Sequence, residues 1–350
     1  MDCSRRMLTE EMMIDRFKLL VPSLSYGGSN YKGQHGKVGI VGGCREYTGA
    51  PFFAAASAAK AGADLCYVFC TESASSVIKS YSPELIVLPL LPETPLFQNP
   101  TVDQLAVDLV SCSSKLALQW LQRLSCLVVG PGLGDDPLTC QVAHDLIREA
   151  RGMELPLIVD GSGINIISKS PHLVQGYSRC LLTPNISELG RIAKAVSVPL
   201  EGTMGSDWQK NTQDIAEAWG GPVVLSKGPV DIITDGKSLL ECKAIASPKR
   251  CGGQGDVLAG LAGTYISWAM KKPAVETESR EKSTRGDGYE GQDMDNTTTC
   301  SQRIMMASLA ACNIMRTSSK KAYQSADRGM GAADILPQIT ATAKELLQAN

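Results

Sequence analysis

Residues Ser247–Gly263, SPKRCGGQGDVLAGLAG, constrain this chain more than any other stretch. Gly252, Gly253 and Gly255 crowd one turn, and an apolar helix follows through Val257, Leu258, Leu261, Ala262 and Ile266. Without Cβ atoms, the backbone N–H groups of such a turn can aim at one point. The first N–H groups of a helix have no internal partner, and the helix dipole adds partial positive charge there. Together they make a socket for a phosphate or a developing phosphoryl charge. Asp256 follows the last glycine and is expected beside that socket. An acid in a first helical turn is also ordinary, gaining about 0.3–1 kcal/mol from the dipole. That explains an aspartate but not the glycines, each of which costs about 0.5–1 kcal/mol in regular structure. The anion-site reading is therefore preferred to a plain helix start.

The 350 residues are 43% hydrophobic and 20% charged, with a net charge of -2. This is globular composition without the basic excess of a nucleic-acid surface. No apolar run reaches about eighteen residues, so no membrane span is expected. The first residues, MDCSRRMLTEEMMIDRFKLL, mix acids and bases. They read as a short amphipathic helix rather than a signal or transit peptide, which makes the cytosol the default. Residues 1–30 are taken as an N-terminal extension and 31–350 as one domain. The 12 cysteines contain no CxxC pair, so a zinc site is not expected. Cys66, Cys70, Cys126, Cys180 and Cys312 lie in apolar segments and read as buried thiols of a reducing compartment. Homo-oligomerisation is left open.

Short aliphatic runs alternate with helical ones along the chain. Lys37–Gly43 reads as a buried parallel strand, Pro51–Gly62 as an alanine-rich helix, and Leu65–Cys70 as the next strand. This β-loop-α-β opening predicts a doubly wound α/β fold. Further strands are expected at Leu85–Leu91, Cys126–Gly130, Pro156–Asp160, Cys180–Thr183 and Pro222–Ser226, with helices at Thr101–Arg123, Leu138–Arg151 and Asp207–Gly220. Pro229–Asp235 and Ser238–Cys242 read as a hairpin turning at Asp235-Gly236. Arg303–Tyr323 and Gly331–Leu347 are closing helices. Residues 273–302 are polar and nearly free of aliphatic side chains, and are expected to be a disordered insertion.

Three other spots carry chemistry at the ends of these strands. GPGLG, Gly130–Gly134, leaves a strand's carboxyl end open, which is where ligands bind in open α/β sheets. An ordinary glycine turn fits as well. Pro184 can start the helix after Thr183. Asn185 and Glu188, three residues apart, could hold the water shell of Mg²⁺ or could be a helix cap with its partner. Spacing alone favours the cap. Lys227-Gly228 after a strand could place an ammonium by a phosphate, though surface lysines are common.

CGGQGDVLAG resembles the anion-hole and catalytic-aspartate signature of ribokinase-like enzymes. With SPKR ahead of it, the stretch is similar to that of the ATP-dependent NAD(P)H-hydrate dehydratases, and the resemblance runs from about Lys32 to about Gln338. It implies a ribokinase-like three-layer sandwich around a mostly parallel sheet. The activity it implies is ATP-dependent dehydration of the S forms of NADHX and NADPHX, with ATP and Mg²⁺ required. Asp256 would be the catalytic base, with Gly253 and Gly255 supplying the anion hole. ATP would meet Lys227, Gly228, Pro229, Val230 and Asp231, then Ala246, Ser247, Pro248, Lys249, Arg250, Cys251, Gly252, Gly253, Gln254 and Gly255. The hydrate would meet Gly134, Asn185, Ile186, Ser187, Glu188, Leu189, Gly190, Arg191 and Asp256. Asn185 and Glu188 would face Mg²⁺ through water. Ser162 stands where most relatives carry a second aspartate, so no carboxylate role is expected there. Two alternatives remain: a small-molecule kinase of the same superfamily, acting on a vitamin precursor alcohol, and a non-catalytic nucleotide-binding protein.

Overall fold

The computed structural model describes residues 9–24, 31–94, 103–202, 206–271 and 298–348. Seven strands are parallel: β1 (Lys37–Val41), β2 (Leu65–Thr71), β3 (Ile86–Leu91), β4 (Cys126–Val129), β5 (Leu157–Val159), β6 (Cys180–Leu182) and β7 (Val223–Ser226). The hairpin of β8 (Asp231–Thr234) and β9 (Leu239–Cys242) extends the sheet antiparallel from β7, as the turn residues predict. The strand order is β3-β2-β1-β4-β5-β6-β7-β8-β9. The central strands β1, β4, β5 and β7 are buried along almost their whole length, because helices cover both faces.

One face carries α1 (Glu10–Lys18), α2 (Gly49–Ala61), α3 (Glu72–Tyr81), α9 (Gln254–Ala269), α10 (Cys300–Ala326) and α11 (Ala332–Leu347). The other carries α4 (Asp103–Leu121), α5 (Pro137–Gly152), α6 (Ser162–Lys169), α7 (Ile186–Ala195) and α8 (Ser206–Trp219). Helix α9 is buried from Val257 to Ala269. It can lie that deep because glycine replaces a side chain at its contacts: a Cβ on Gly260 would come within 2.0 Å of the Ala54 carbonyl of α2. Thr264 then donates to the Ala58 carbonyl at 2.9 Å. The sheet and α2 thereby fix where the amino end of α9 points.

Two boundaries differ from expectation. The amphipathic helix of residues 1–30 is no appendage. Its Met13, Ile14 and Phe17 enter the core, and the Phe17 ring meets Tyr265 of α9 at 5.5 Å. Burying Phe17 contributes about 1.5–3 kcal/mol. In the segment expected to be disordered, 273–297 lies outside the described residues, but α10 already begins at Cys300. Thr299 accepts from the Gln302 N–H at 3.2 Å, and the Gln302 side chain accepts from the Thr299 N–H at 2.9 Å. This reciprocal cap starts the helix inside a stretch whose composition looked structureless.

Burial pushes the thiols of Cys66 and Cys70 up to about 12, and those of Cys126 and Cys180 higher still, so they are inert core residues. Among the described residues no helix is long and apolar enough to cross a membrane.

Candidate active site

The parallel strands β1, β4, β5, β6 and β7 release their loops on one side of the sheet, and these loops build the site. Gly130 shows how closely they approach: a Cβ there would fall 1.7 Å from the Asp160 carbonyl. Neighbouring loops therefore lie backbone against backbone, and Gly134 follows with its α-carbon 's missing methyl directed at Cys44 Sγ, 3.0 Å away.

Helix α9 begins above this edge. Gly253 is its N-cap, in the left-handed region at φ +91. A side chain there would strike Ala332 Cβ at 2.6 Å and the Phe53 ring at 2.9 Å, so only glycine fits. The first intrahelical bond runs from Val257 N–H to Gly253 O at 2.9 Å. The N–H groups of Gln254, Gly255 and Asp256 thus precede the helical ladder. The Gln254 side chain folds back to donate to Ser247 Oγ (3.4 Å) and the Lys249 carbonyl (3.2 Å), which ties the SPKR turn to the helix start.

Four charged groups meet beneath this helix start. Asp160, at the end of β5, is 3% exposed and accepts from Lys227 Nζ at 2.7 Å and from Thr183 Oγ1 at 2.7 Å. A Cβ on Gly255 would lie 3.4 Å from Lys227 Nζ, so the ammonium sits against the first turn of α9. Burial alone would drive this ammonium down, but Asp160, Glu188 and Asp256 outweigh it and hold Lys227 above its ordinary value. Burial, reinforced by Asp160 and Glu188 against the pull of Lys227, raises the Asp256 carboxyl to about 7. Burial likewise raises Glu188 against the pull of Lys227 and of the Asn185 N–H. Asp256 is therefore a carboxylate poised to take up a proton near neutrality, which is what a general base requires.

Beside the cluster opens a cavity of about 330 Å³, large enough for part of a nucleotide. Of the residues expected at ATP, Lys227, Gly228, Pro229, Asp231, Ala246, Ser247, Pro248, Arg250, Gln254 and Gly255 line it. Leu258, Met315, Arg316 and Ser319 also line it and were not anticipated. Arg316 pairs with Asp231 at 3.0 Å and donates to the carbonyls of Ala244, Gly228 and Pro229. Asp231 in turn accepts from Gly228 N–H at 3.0 Å. Its carboxylate is thus spent on shaping the β7–β8 loop. The apolar spacing of α10 does point Met315 and Ser319 the same way, but nothing local in the sequence ties them to residues far upstream.

The sequence profile of the NAD(P)H-hydrate dehydratase family matches residues 38–340. The chain belongs to this family. It is 36% identical over 340 residues to the ATP-dependent (S)-NAD(P)H-hydrate dehydratase of Bos taurus, covering 97% of this chain and 90% of the relative. It is 38% identical to the protein of the same name from Physcomitrium patens, covering 94% of each. In fold it is similar to a ribokinase-like superfamily protein from Enterococcus faecalis (TM-score 0.66, 17% identity, 96% of this chain and 95% of the other). It is also similar to the ADP/ATP-dependent NAD(P)H-hydrate dehydratase of Bacillus subtilis co-crystallised with ATP/Mg²⁺ (TM-score 0.62, 14% identity, 99% and 100%).

In this member of the dehydratase family the TPNISELGR segment departs from expectation in one respect. Pro184 does not start α7; Asn185 is the N-cap, and Pro184 stands before it with its carbonyl accepting Lys227 N–H at 2.9 Å. Asn185 Oδ1 accepts from Glu188 N–H at 3.0 Å and Glu188 Oε2 from Asn185 N–H at 2.9 Å. The capping arrangement that spacing favoured is therefore present. Ile186, Ser187 and Arg191 are exposed, whereas Leu189 is 1% exposed and belongs to the core. Arg191 donates to Asn165 Oδ1 at 3.0 Å. Five of the expected nucleotide residues do not line the cavity: Val230 and Cys251 pack on the core, Lys249 reaches the Arg328 carbonyl, and Gly252 and Gly253 lie in the turn ahead of α9.

No group of three His, Cys, Asp or Glu among the described residues forms a metal cage. The site nevertheless suits Mg²⁺, which keeps most of its waters and binds through a few carboxylates and substrate phosphates. Asp160, Glu188 and Asp256 set three acidic groups against the one ammonium of Lys227.

Proposed function

We propose that the protein uses ATP to dehydrate the S forms of NADHX and NADPHX, returning NADH and NADPH. The observation that carries this reading is the placement of Asp256: a half-buried carboxyl raised to about 7, in the first turn of α9, beside Lys227 and the cavity. The relatives named above carry this activity in their names.

Water loss from the hydrate is slow because hydroxide leaves poorly. A phosphate ester leaves well. Asp256 accepts the proton of the ring hydroxyl as its oxygen attacks the γ-phosphorus of ATP and ADP departs. The N–H groups of Gly253, Gln254 and Gly255, with Lys227, face the negative charge of the transferring group. The ring nitrogen's lone pair then expels phosphate, the neighbouring ring carbon loses a proton, and the dihydropyridine is restored. Asn185 and Glu188, with Asp256 nearby, would hold Mg²⁺ through water, and the ion would neutralise phosphate charge. The Gly228–Asp231 loop and Ser247–Arg250, fixed by Arg316 and Gln254, bound the nucleotide. The loops at Gly134 and Ile186–Arg191 flank the hydrate. The buried free thiols suit a cytosolic setting.

The test is incubation of the purified protein with (S)-NADHX, ATP and Mg²⁺ while following dihydronicotinamide absorbance. Recovery of NADH with stoichiometric ADP and phosphate is expected. ADP together with a stable phosphorylated alcohol would make the protein a kinase instead. Tight ATP binding with no turnover of any substrate would leave it a nucleotide-binding protein.

A further inference from the structure

We infer that Asp160 is a positioning residue for phosphoryl transfer, acting by fixing the Lys227 ammonium at the amino end of α9. The inference rests on the ATP-dependent reading above. Three consecutive parallel strands each contribute one member just past their last residue or at it: Asp160 after β5, Thr183 after β6, Lys227 after β7. Their relative positions are therefore set by the sheet and not by loop flexibility. Asp160 Oδ1 receives both Lys227 Nζ and Thr183 Oγ1 at 2.7 Å, and Asp160 and Thr183 are 3% and 1% exposed.

A lysine is a point charge on a long flexible stem, so an unanchored one samples many positions. Here both ends are tied. The Lys227 N–H donates to the Pro184 carbonyl, and the ammonium is held by Asp160. The anchor leaves the ammonium beside Gly255, at the open N–H groups of the helix. An ammonium has three donors, and Asp160 takes one, leaving others for an anion at that point. The Asp160 carboxylate is occupied by two donors, Lys227 Nζ and Thr183 Oγ1, so its effect on an anion at the helix start runs through the lysine, while it also helps to raise the Asp256 carboxyl.

A double-mutant cycle of Asp160→Asn and Lys227→Met tests this with two readouts. Turnover of (S)-NADHX with ATP should fall about tenfold or more in Asp160→Asn, as expected when a charge-assisted contact is lost in the transition state. In the Lys227→Met background the same change should cost less than about twofold. Thr183→Val should give a smaller loss in the same direction. Calorimetry with ATP alone gives the second readout. Removing the Asp160 charge relieves repulsion of phosphate but also misplaces Lys227. It should therefore tighten ATP binding in the Lys227→Met background, where nothing is left to misplace, and not in the parent. Additive effects on both readouts would mean that Asp160 acts directly, and would overturn the inference. If the parent shows no turnover the functional reading fails, while the ATP-binding cycle still decides the role of Asp160. Should Lys227→Met not fold because Asp160 is left unpaired, Lys227→Gln, which still donates to it, takes its place in the cycle.

Discussion

Replacing Asp256 by Asn should weaken catalysis and strengthen the fold, and the two effects should separate with pH. The carboxyl is raised from 3.8 to about 7, first by burial and then by Asp160. Between those values the native protein holds a proton that the unfolded chain has released. Stability from this group is thus fully present below about pH 4 and is lost as pH rises toward about 7. The span of about three pH units, at about 1.36 kcal/mol each, amounts to about 4 kcal/mol. Asn, nearly the same size and acceptable in a first helical turn, escapes this penalty. Urea unfolding at about pH 3 should give nearly equal stabilities for variant and parent; at pH 5 the variant should be ahead by about 1.5 kcal/mol and at pH 8 by up to about 4 kcal/mol. Turnover should fall by about 10²–10⁴-fold, the usual worth of a general base. The parent's kcat/KM should rise with pH through about 7 in the free protein's titration. A variant no more stable than the parent at pH 8 would show that Asp256 is not a strained buried carboxylate. A variant with near-parental turnover would remove it from the mechanism.

Gly253→Ala should cost at least about 1–2 kcal/mol in urea unfolding for its left-handed backbone, plus the clash with Ala332. Gly252→Ala, with nothing within 4 Å of the added methyl, should stay within about 0.5 kcal/mol. Arg316→Met leaves Asp231 buried without its cation and should lose about 3–5 kcal/mol while raising the KM for ATP; Asp231→Asn in that background should recover part of the stability. Glu188→Gln keeps an acceptor for the Asn185 N–H, so the thermal midpoint should stay nearly level while turnover drops and is partly restored by more Mg²⁺. Replacing residues 273–297 by a short Gly/Ser linker should preserve folding and turnover, provided Thr299 is kept. Arg303 near the start of α10 already reaches the Ala269 carbonyl at the end of α9, and loop closure depends weakly on length.

The local features of the site were legible because they are local. The glycine turn before α9, the aliphatic runs of the strands and the lysine after β7 each announce themselves within a few residues. Spacing alone favoured a cap at Asn185 and Glu188, and the cap is present, whereas a role toward Mg²⁺ comes from the resemblance and has no local signal of its own. What escaped detection is what the topology brings together. Arg316 meets Asp231 across 85 residues of chain, and Lys227 meets Asp160 across 67. Neither pairing has a motif, because each depends on which strands and helices become neighbours. Asp160 was visible only as an acid ending a strand; its pairing follows from β5, β6 and β7 lying side by side. An amphipathic helix was legible in the first residues, but not that its Met13, Ile14 and Phe17 pack against α9 and α10. The start of α10 rests on the Thr299–Gln302 cap, which lies in a stretch whose polar composition hid it.

The deep seating of α9 gives it two kinds of amide in one element. From Val257 onward the N–H groups lie inside the helical ladder of a segment buried on every side, so their hydrogens should exchange with deuterium only when the whole domain opens. Those of Gln254, Gly255 and Asp256 precede the ladder and should exchange through local motion. A ligand seated at the helix start would slow these first-turn amides selectively, whereas a general gain in stability would slow the interior ones. Exchange along this single helix therefore separates occupancy of the site from tightening of the fold, without any label on the ligand.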